Sequence, residues 1–437
     1  MEQVIRDRIS IFQRKRVPDG YKKLYNGILP KDWHVKKICD IKDPNDKYSL
    51  TGGPFGSDLK SEHYTDDGIR IIQLQNIGDG RFIDDYKIYT SHKKADELIN
   101  CNIYPGEIII SKMAEPLARA CIIPSIYNRY LMASDGIRLN VDNSKYNSKF
   151  VLECINSSYF RAEAIKRGTG TTRLRIGLNV LGNLKIPVPS LTEQKKIADI
   201  FSTWDKAIEL KEKLIEEKKK QKTGLIQKLY TGKIRIPGFS GKVQFEKLNK
   251  YIKESKKRNR NNEEERVLSV SNKLGFVLQE DQFDRIVASK DLSNYKVIRK
   301  GQFAYNPSRV NVGSIDLLTT YESGLLSPMY VVFQCKQGLV TEYLYHFIKS
   351  DTFLKIIPNL LQGSVRDTLS FDSLGLVKIF LPSIEEQNAI AQRLNLADKE
   401  ISLLEKELEG LKQQKKGLMQ LLLTGIIRVN TQENEKR

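Results

Sequence analysis

The sequence lacks most of the signatures by which an enzyme is recognised. No G-x-x-x-x-G-K-[ST] run occurs, which excludes a phosphate-binding loop of that type. Gly168-Thr169-Gly170 does not lead from a buried strand into a helix, so it makes a poor cradle for a nucleotide or S-adenosylmethionine. The four histidines, His34, His63, His92 and His346, lie far apart, and none has a partner at metal-ligand spacing. The five cysteines (Cys39, Cys101, Cys121, Cys154, Cys335) are odd in number and never form C-x-x-C, which argues for a reducing compartment and against a zinc module. No apolar run reaches membrane-spanning length and no signal-peptide pattern opens the chain. These absences predict a cytoplasmic protein with no membrane association, no cofactor and no metal.

Basic charge and an internal repeat are present instead. Lys and Arg number 72 against 53 Asp and Glu, a formal net charge of +19. A soluble chain this basic commonly meets a polyanion, nucleic acid first; the alternative is a basic surface that serves solubility alone. A shift of 193 residues lays Ile186 to Arg235 on Ile379 to Arg428 without a gap, and half of the aligned positions are identical. Unrelated segments would agree at about one position in fifteen. The period is too long for a solenoid or a propeller blade, and at 437 residues the chain suits two domain-sized units joined head to tail.

Between the repeated stretches the text is mixed α+β. Runs such as Ile69 to Leu74 and Glu107 to Ile110 predict strands, separated by turn signals including Gly52-Gly53-Pro54-Phe55-Gly56. Residues 147–167 predict one helix, with Phe150, Val151, Cys154, Ile155, Ser158 and Tyr159 on its inner face. The second unit repeats this order with drift: Arg70 and Asn76 match Arg266 and Asn272, Gly106 matches Gly301, and Gly170-Thr171-Thr172-Arg173 matches Gly363-Ser364-Val365-Arg366. The globular parts have diverged while the opening stretch has not, so one part of each repeat is held to a shared job. Lys256-Lys257-Arg258-Asn259-Arg260, followed by Glu263-Glu264-Glu265, predicts a solvated loop before a strand, its basic half a candidate phosphate clamp. Near the start, Lys23-Leu24-Tyr25-Asn26-Gly27 echoes Lys228-Leu229-Tyr230-Thr231-Gly232, as it would if the chain began partway through a cyclic repeat. Tyr305-Asn306-Pro307-Ser308 lacks the second proline and the aromatic of an adenine methyltransferase loop and suits a turn that ends a strand.

The repeated stretch itself predicts a long capped helix. Ser190 and Ser383 follow prolines and precede Glu193 and Glu386 at capping-box spacing, where serine and glutamate would satisfy each other's amides. In the second copy Ile390, Leu394, Ala397, Ile401, Leu404, Leu408, Leu411, Leu418 and Leu422 form a heptad seam broken at Lys415. The first copy keeps this register with Ile197, Phe201, Trp204, Ile208, Ile215, Leu225 and Leu229, but places Lys211, Lys218 and Lys222 in the seam. Each helix would run about 40 residues, roughly 60 Å. The two would bury their stripes on each other as an antiparallel two-stranded coiled coil, the alternative being two helices each packed on its own domain. The seam lysines predict imperfect pairing, or a place where another protein docks.

The motifs now suffice for a comparison. Leu29-Pro30-Lys31-Asp32-Trp33, Gly53-Pro54-Phe55-Gly56-Ser57, Gly170-Thr171-Thr172-Arg173, Ile186-Pro187-Val188-Pro189-Ser190 running into Glu193-Gln194, and Gly224 to Leu229 with Thr231-Gly232 resemble the DNA-specificity (S) subunit of type I restriction–modification enzymes. The second copy repeats most of them, so the resemblance covers nearly the whole chain. It implies a subunit without a catalytic centre, built of two target-recognition domains and two conserved helices, each domain reading one half of a split site in double-stranded DNA. It also implies that the helices set the spacing and dock modification subunits, two in number, with restriction–translocase subunits joining the full complex. Methyl donor and ATP would bind those partners.

The corresponding spans are a basic arm at 1–28, recognition domains at 29–189 and 233–382, conserved helices at 190–232 and 383–425, and a polar tail at 426–437. Candidate DNA-contacting residues are Arg173, Arg175 and Arg366 in glycine-adjacent loops, Lys112 and Arg119 flanking a loop of the first unit, and Arg309 with Asn311 at a comparable place in the second. Competing readings are the specificity polypeptide of a fused nuclease–methyltransferase system, a coiled-coil scaffold that binds no DNA, and a self-contained DNA enzyme.

Overall fold

Two helices of 40 and 39 residues, Leu191–Tyr230 and Ile384–Leu422, organise the fold. The computed structural model describes residues 9–11, 16–24, 27–113, 115–170, 173–242, 244–272, 274–282, 291–361 and 367–431. It divides into two compact units, Met1–Leu210 with Glu409–Arg437, and Lys211–Leu408. Each unit therefore owns one half of both long helices, and the division falls within the helices, where the sequence reading gave each helix a span of its own.

In the second unit Lys211 Nζ lies 2.8 Å from Glu407 and Lys218 Nζ 2.6 Å from Glu400, and Lys222 pairs with Asp398. Numbers rise on one helix as they fall on the other, so the halves run antiparallel. In the first unit Lys415 Nζ lies 2.7 Å from Asp205, the same sense of pairing. The apolar stripes are buried as their spacing requires. Ile197, Phe201 and Leu422 enter the first core, and Ile226, Leu229, Ile390 and Leu394 the second. The seam lysines are thus not vacancies for another protein. Each ends on a carboxylate of the partner helix.

The Ser190 and Ser383 hydroxyls accept from the Glu193 and Glu386 amides at 3.4 and 3.3 Å, half of the expected capping box. The other half is replaced. The carboxylates of Glu193 and Glu386, each 1% exposed, are taken by arginines from beyond the helix ends. Those ends fall where the glycines predict: Gly232 and Gly425 adopt φ of +67° and +70°, the left-handed exit that costs other residues a steric clash.

The first unit carries strands β1 (Tyr21–Leu24), β2 (Gly27–Pro30), β3 (His34–Lys37), β4 (Leu50–Gly52), β5 (Tyr64–Thr65), β6 (Ile69–Ile72), β7 (Ile88–Thr90), β8 (Asn102–Ile103), β9 (Ile108–Ser111), β10 (Ala120–Ile122), β11 (Tyr130–Met132), β12 (Gly136–Leu139) and β13 (Lys185–Val188). They form sheets of order β10-β9-β12-β4 and β5-β7-β6-β11-β8, with β6 and β11 parallel, and the pairs β1-β2 and β13-β3. β9 is buried at every position, which explains its unbroken isoleucine run: both faces are covered. The second unit carries β14 (Phe245–Lys247), β15 (Ile252–Ser255), β16 (Leu268–Ser271), β17 (Gly275–Leu278), β18 (Lys296–Arg299), β19 (Phe303–Tyr305), β20 (Ile315–Leu317), β21 (Ser323–Leu326), β22 (Val331–Cys335) and β23 (Lys378–Phe380). Its sheet β15-β22-β19-β20 reproduces β4-β12-β9-β10 strand for strand, and a parallel bridge between Val267 and Leu325 stands where β6 meets β11. Both units are α+β and share one topology, as the repeat requires.

Two local readings are corrected. The predicted helix over 147–167 is two helices, Ser148–Asn156 and Ser158–Arg167, because the Ser157 hydroxyl accepts from the Phe160 amide and starts a new helix. Phe150, Val151, Cys154 and Ile155 are buried as expected, but Ser158 and Tyr159 are exposed. The echo of Lys228 to Tyr230 at Lys23-Leu24 is one of letters only: the former ends a helix and the latter ends β1. The expected basic arm ends within β2, which pairs antiparallel with β1, and the Tyr21 hydroxyl donates to the Gly425 carbonyl at 2.6 Å.

Candidate nucleic-acid interface

Parallel β6 and β11 end together, and the loops after β4 and β9 emerge at the same edge, because β12, which pairs with both, begins there. This edge gathers several of the predicted residues of the first unit. Lys112, just after β9, donates through Nζ to the Ser134 carbonyl at 2.7 Å, and its amide donates to the Asp135 carbonyl. Burial pushes the Lys112 ammonium below its ordinary pKa, and Arg175 acts in the same direction against the attraction of Asp135. Arg175 Nη2 lies 2.8 Å from Asp135 Oδ1 while remaining more than half exposed. Reciprocal amide bonds between Thr169 and Arg175 close a hairpin tip that carries exposed Arg173, and the Ile176 amide ties it to the Lys112 carbonyl.

Arg119 is turned toward the backbone. Its guanidinium donates to the Leu74 carbonyl at 3.0 Å and the Glu115 carbonyl at 3.3 Å, so it braces the loop it was expected to present. Next to Leu74, Ser134 and Asp135, which these cations bond, opens a cavity of about 240 Å³, lined also by Phe55, Tyr64, Gln73 and Gln75. Sequence reasoning passed over Phe55, Gln73, Gln75 and Asp135. The available signal was that Gly53-Pro54-Phe55-Gly56 is a turn and that Gln73 directly follows a strand.

The equivalent edge of the second unit holds Arg309 and Asn311, both exposed, in the loop between β19 and β20. Beside them stand three exposed apolar side chains, Leu274, Val312 and Met329. The loop is fixed by its own bonds: the Asn306 amide donates to the Ser314 carbonyl, and the Ser314 hydroxyl donates to the Val270 carbonyl at 2.8 Å. Arg366 lies outside the described residues. In the same unit Lys257, Arg258, Arg260, Arg299 and Lys300 border an open cavity of about 710 Å³ that also holds Glu263, Glu264 and Glu322. Lys256 to Glu265 form the loop that precedes β16, as expected.

The repeated helix starts supply the scaffold for these edges. In the first unit Gln194 accepts from the Asn147 amide at 2.9 Å and donates to the Pro189 carbonyl at 3.0 Å. In the second, Gln387 accepts from Val340 and donates to Pro382 at the same distances. Each glutamine thereby ties the long helix to the start of a helix in its own globular part, Ser148–Asn156 in the first unit and Thr341–Ile348 in the second. Arg428 Nε lies 2.6 Å from Glu193, with Nη1 and Nη2 on Asp32, and Trp33 Nε1 donates to Glu193 at 3.2 Å. Burial opposes the Arg428 charge, yet the Glu193 and Asp32 carboxylates outweigh it and raise the pKa above the ordinary value. Arg235 meets Glu386 in the same way at 2.6 Å.

One further polar pair differs between the repeats. Lys415 Nζ sits 3.3 Å from Glu153 and 2.7 Å from Asp205. In the second unit Lys222 meets Asp398, and His346 stands where Glu153 stood, with Nε2 2.8 Å from Asn395 Oδ1.

Among the described residues no group of three or more His, Cys, Asp or Glu is placed to hold a metal ion, and no helix is long and apolar enough to cross a membrane.

Comparison with known proteins agrees with this arrangement. Residues 30–220 and 317–413 match the family described as type I restriction modification DNA specificity domain. The putative type I restriction enzyme MjaX specificity subunit of Methanocaldococcus jannaschii is 26% identical over 445 residues, covering 94% of this chain and 98% of that protein. The MjaVIII specificity subunit of the same organism is 26% identical over 231 residues, with 52% of this chain and 51% of the relative aligned. Among solved structures, the type I restriction–modification S subunit from M. genitalium aligns over 94% of this chain and 99% of its own at a TM-score of 0.52 and 18% identity. A chain from a structure of a type I restriction–modification system in assembly and conformational transition gives 0.56 at 13% identity, over 91% and 99%. With the family match spanning well over half of its length, the chain belongs to the type I restriction–modification DNA specificity family.

Proposed function

We propose that each unit reads one half of a bipartite site in double-stranded DNA through the loops at its strand-end edge. The observation that carries this reading is a shared framework with unshared loops. The two main sheets agree strand for strand, whereas the edge carries Phe55, Gln73 and Gln75 in one unit and Leu274, Arg309 and Asn311 in the other. Two units that differ at the reading edge favour half-sites of different sequence, hence an asymmetric target. Arg173, Arg175 and Lys112 of the first unit, and Arg309, Asn311 and Arg366 of the second, supply the cations and amides of contact. Arg119 acts by holding the Leu74 carbonyl.

The long helices set the unread gap and receive the modification subunits. Leu210 and Leu403 occupy the same place in the two repeats and are 56% and 51% exposed, two like apolar sites that suit two copies of one partner. The chain carries no catalytic centre in this reading. Methyl transfer and ATP-dependent restriction reside in the modification and restriction–translocase subunits, and the complex works in the cytoplasm.

Methylation mapping of DNA from cells carrying this chain with its modification subunit tests the proposal. A split, asymmetric methylated motif is expected. A palindromic or continuous motif, or no new methylation, would refute it. A specificity chain serving a fused nuclease–methyltransferase would give the same motif but a different partner on co-purification. A scaffold that binds no DNA would give no mobility shift even at low salt, where charge-driven binding is strongest.

A further inference from the structure

The geometry points to Phe55 as an apolar wedge that enters the stacked bases of the half-site read by the first unit; this rests on the DNA-reading role proposed above. Phe55 is 83% exposed, more than any other large apolar side chain among the described residues. It is not a loose side chain. The Gly53 amide donates to the Gly136 carbonyl at 2.8 Å, and a Cβ at Gly53 would stand 1.9 Å from the Ala133 carbonyl oxygen, so the loop lies hard against the sheet. Pro54 fixes the next φ, and the Asp58 amide closes a turn on the Phe55 carbonyl at 2.9 Å. A braced loop thus holds a ring in water, an arrangement that gains nothing for the fold.

Its surroundings identify the partner. The ring stands at the cavity that holds the amides Gln73 and Gln75. Lys112 and Arg175 flank the same cavity through Ser134 and Asp135. Flat apolar surface, amides and cations on one edge match the three faces of a nucleic acid: base planes, base edges and phosphates. Apolar side chains that enter a duplex unstack one base step and kink it. The corresponding loop of the second unit, after β15, carries Lys256-Lys257-Arg258, which offers charge and no ring.

The test uses the full chain assembled with its modification subunits and duplexes of the mapped target, with 2-aminopurine placed at successive positions. One position is expected to brighten on binding. Phe55→Ala should abolish that signal and weaken target binding about tenfold, with less than about twofold loss on non-target duplex, while Phe55→Trp keeps the unstacking. Tryptophan-detected unfolding of Phe55→Ala should match the parent chain, since the ring is in water. A signal that persists in Phe55→Ala, or no brightened position with a bound target, would overturn the wedge and leave the DNA-reading role standing. Loss of subunit assembly in Phe55→Ala with DNA affinity retained would make Phe55 a protein contact and also overturn it. A parent complex that fails to bind the mapped target would overturn the DNA-reading role itself.

Discussion

Glu153→Gln should change the pH dependence of the first unit's stability. Glu153 is 6% exposed, and burial raises its carboxyl from 4.5 to about 7, with Lys415 opposing and Asp205 adding to the rise. A carboxyl whose folded pKa exceeds its unfolded value binds more protons in the folded state. Its favourable contribution is complete below the unfolded pKa, near 4.5, and is lost as pH rises through the folded one, near 7. At pH 8 the buried charge therefore costs roughly 3 kcal/mol after the attraction of Lys415 has been counted, against about 1 kcal/mol at pH 5. Glutamine keeps the shape and removes the titration. The stability difference between Glu153→Gln and the parent should thus move by about 2–3 kcal/mol in favour of the variant between pH 5 and pH 8. Both tryptophans, Trp33 and Trp204, lie in the first unit, so their fluorescence reports its unfolding in urea without a label. A difference that stays constant over this range would refute the reasoning, because it would mean that Glu153 titrates alike in the folded and unfolded chain.

The second unit should respond with the opposite sign. Burial holds His346 below its ordinary pKa, against the Asn395 hydrogen bond, so acid favours the unfolded state; His346→Gln should flatten the loss of stability below pH 6.5, seen by hydrogen exchange of that unit. Arg428→Met should cost the first unit about 3–5 kcal/mol by leaving the buried Glu193 without its main cation, and tryptophan-detected urea unfolding measures this. Lys219→Ala, by contrast, should cost less than about 1 kcal/mol, since Lys219 and Glu405, 2.6 Å apart, are each about half exposed and screened by salt. Adding equal numbers of residues to both long helices should change the gap of the methylated motif and leave its letters unchanged; altered letters at constant spacing would argue against helices as the spacer.

The fold was legible where the sequence carries a period or a duplication. The heptad steps from Ile390 to Leu422 and the twin Pro-Ser-x-x-Glu-Gln starts give two helices and their antiparallel pairing, because an apolar stripe must be buried and its twin is at hand. The charge of Lys211, Lys218 and Lys222 suggested a break in the seam. Glu407, Glu400 and Asp398 answer those lysines from nearly 180 residues or more away, and long-range complementarity leaves no mark in the local pattern. The break at Ser157 was missed for a different reason: the apolar spacing continues through it, and only the cap chemistry of serine resets the helix. At the strand-end edge, Arg175 was chosen as an arginine beside glycines and Lys112 as a cation flanking a loop. The same rule selected Arg119, whose environment turns it inward to the Leu74 carbonyl. Phe55 escaped because a lone aromatic in a turn looks like any other core-directed residue until its exposure is known.

The contacts that the duplication preserved explain which parts of the chain were free to change. Glu193 and Gln194, like Glu386 and Gln387, spend their side chains on holding a helix start: glutamine on the globular helix beside it, glutamate on an arginine from past the other long helix's end. Losing any one leaves a buried polar group without a partner, which costs more than an exposed substitution. The strand-end loops are built differently. Amide bonds such as Asn306 to Ser314 and Thr169 to Arg175 fix their backbones, so side chains at their tips can vary without loss of fold. A chain of this design keeps its frame by side-chain bonds at the helix ends and the loops of the sheet edge by backbone bonds. Exchange of tip residues such as Arg173 or Asn311 should therefore alter target letters at little cost in stability, whereas exchange at Gln194 or Gln387 should lower stability and leave the letters alone.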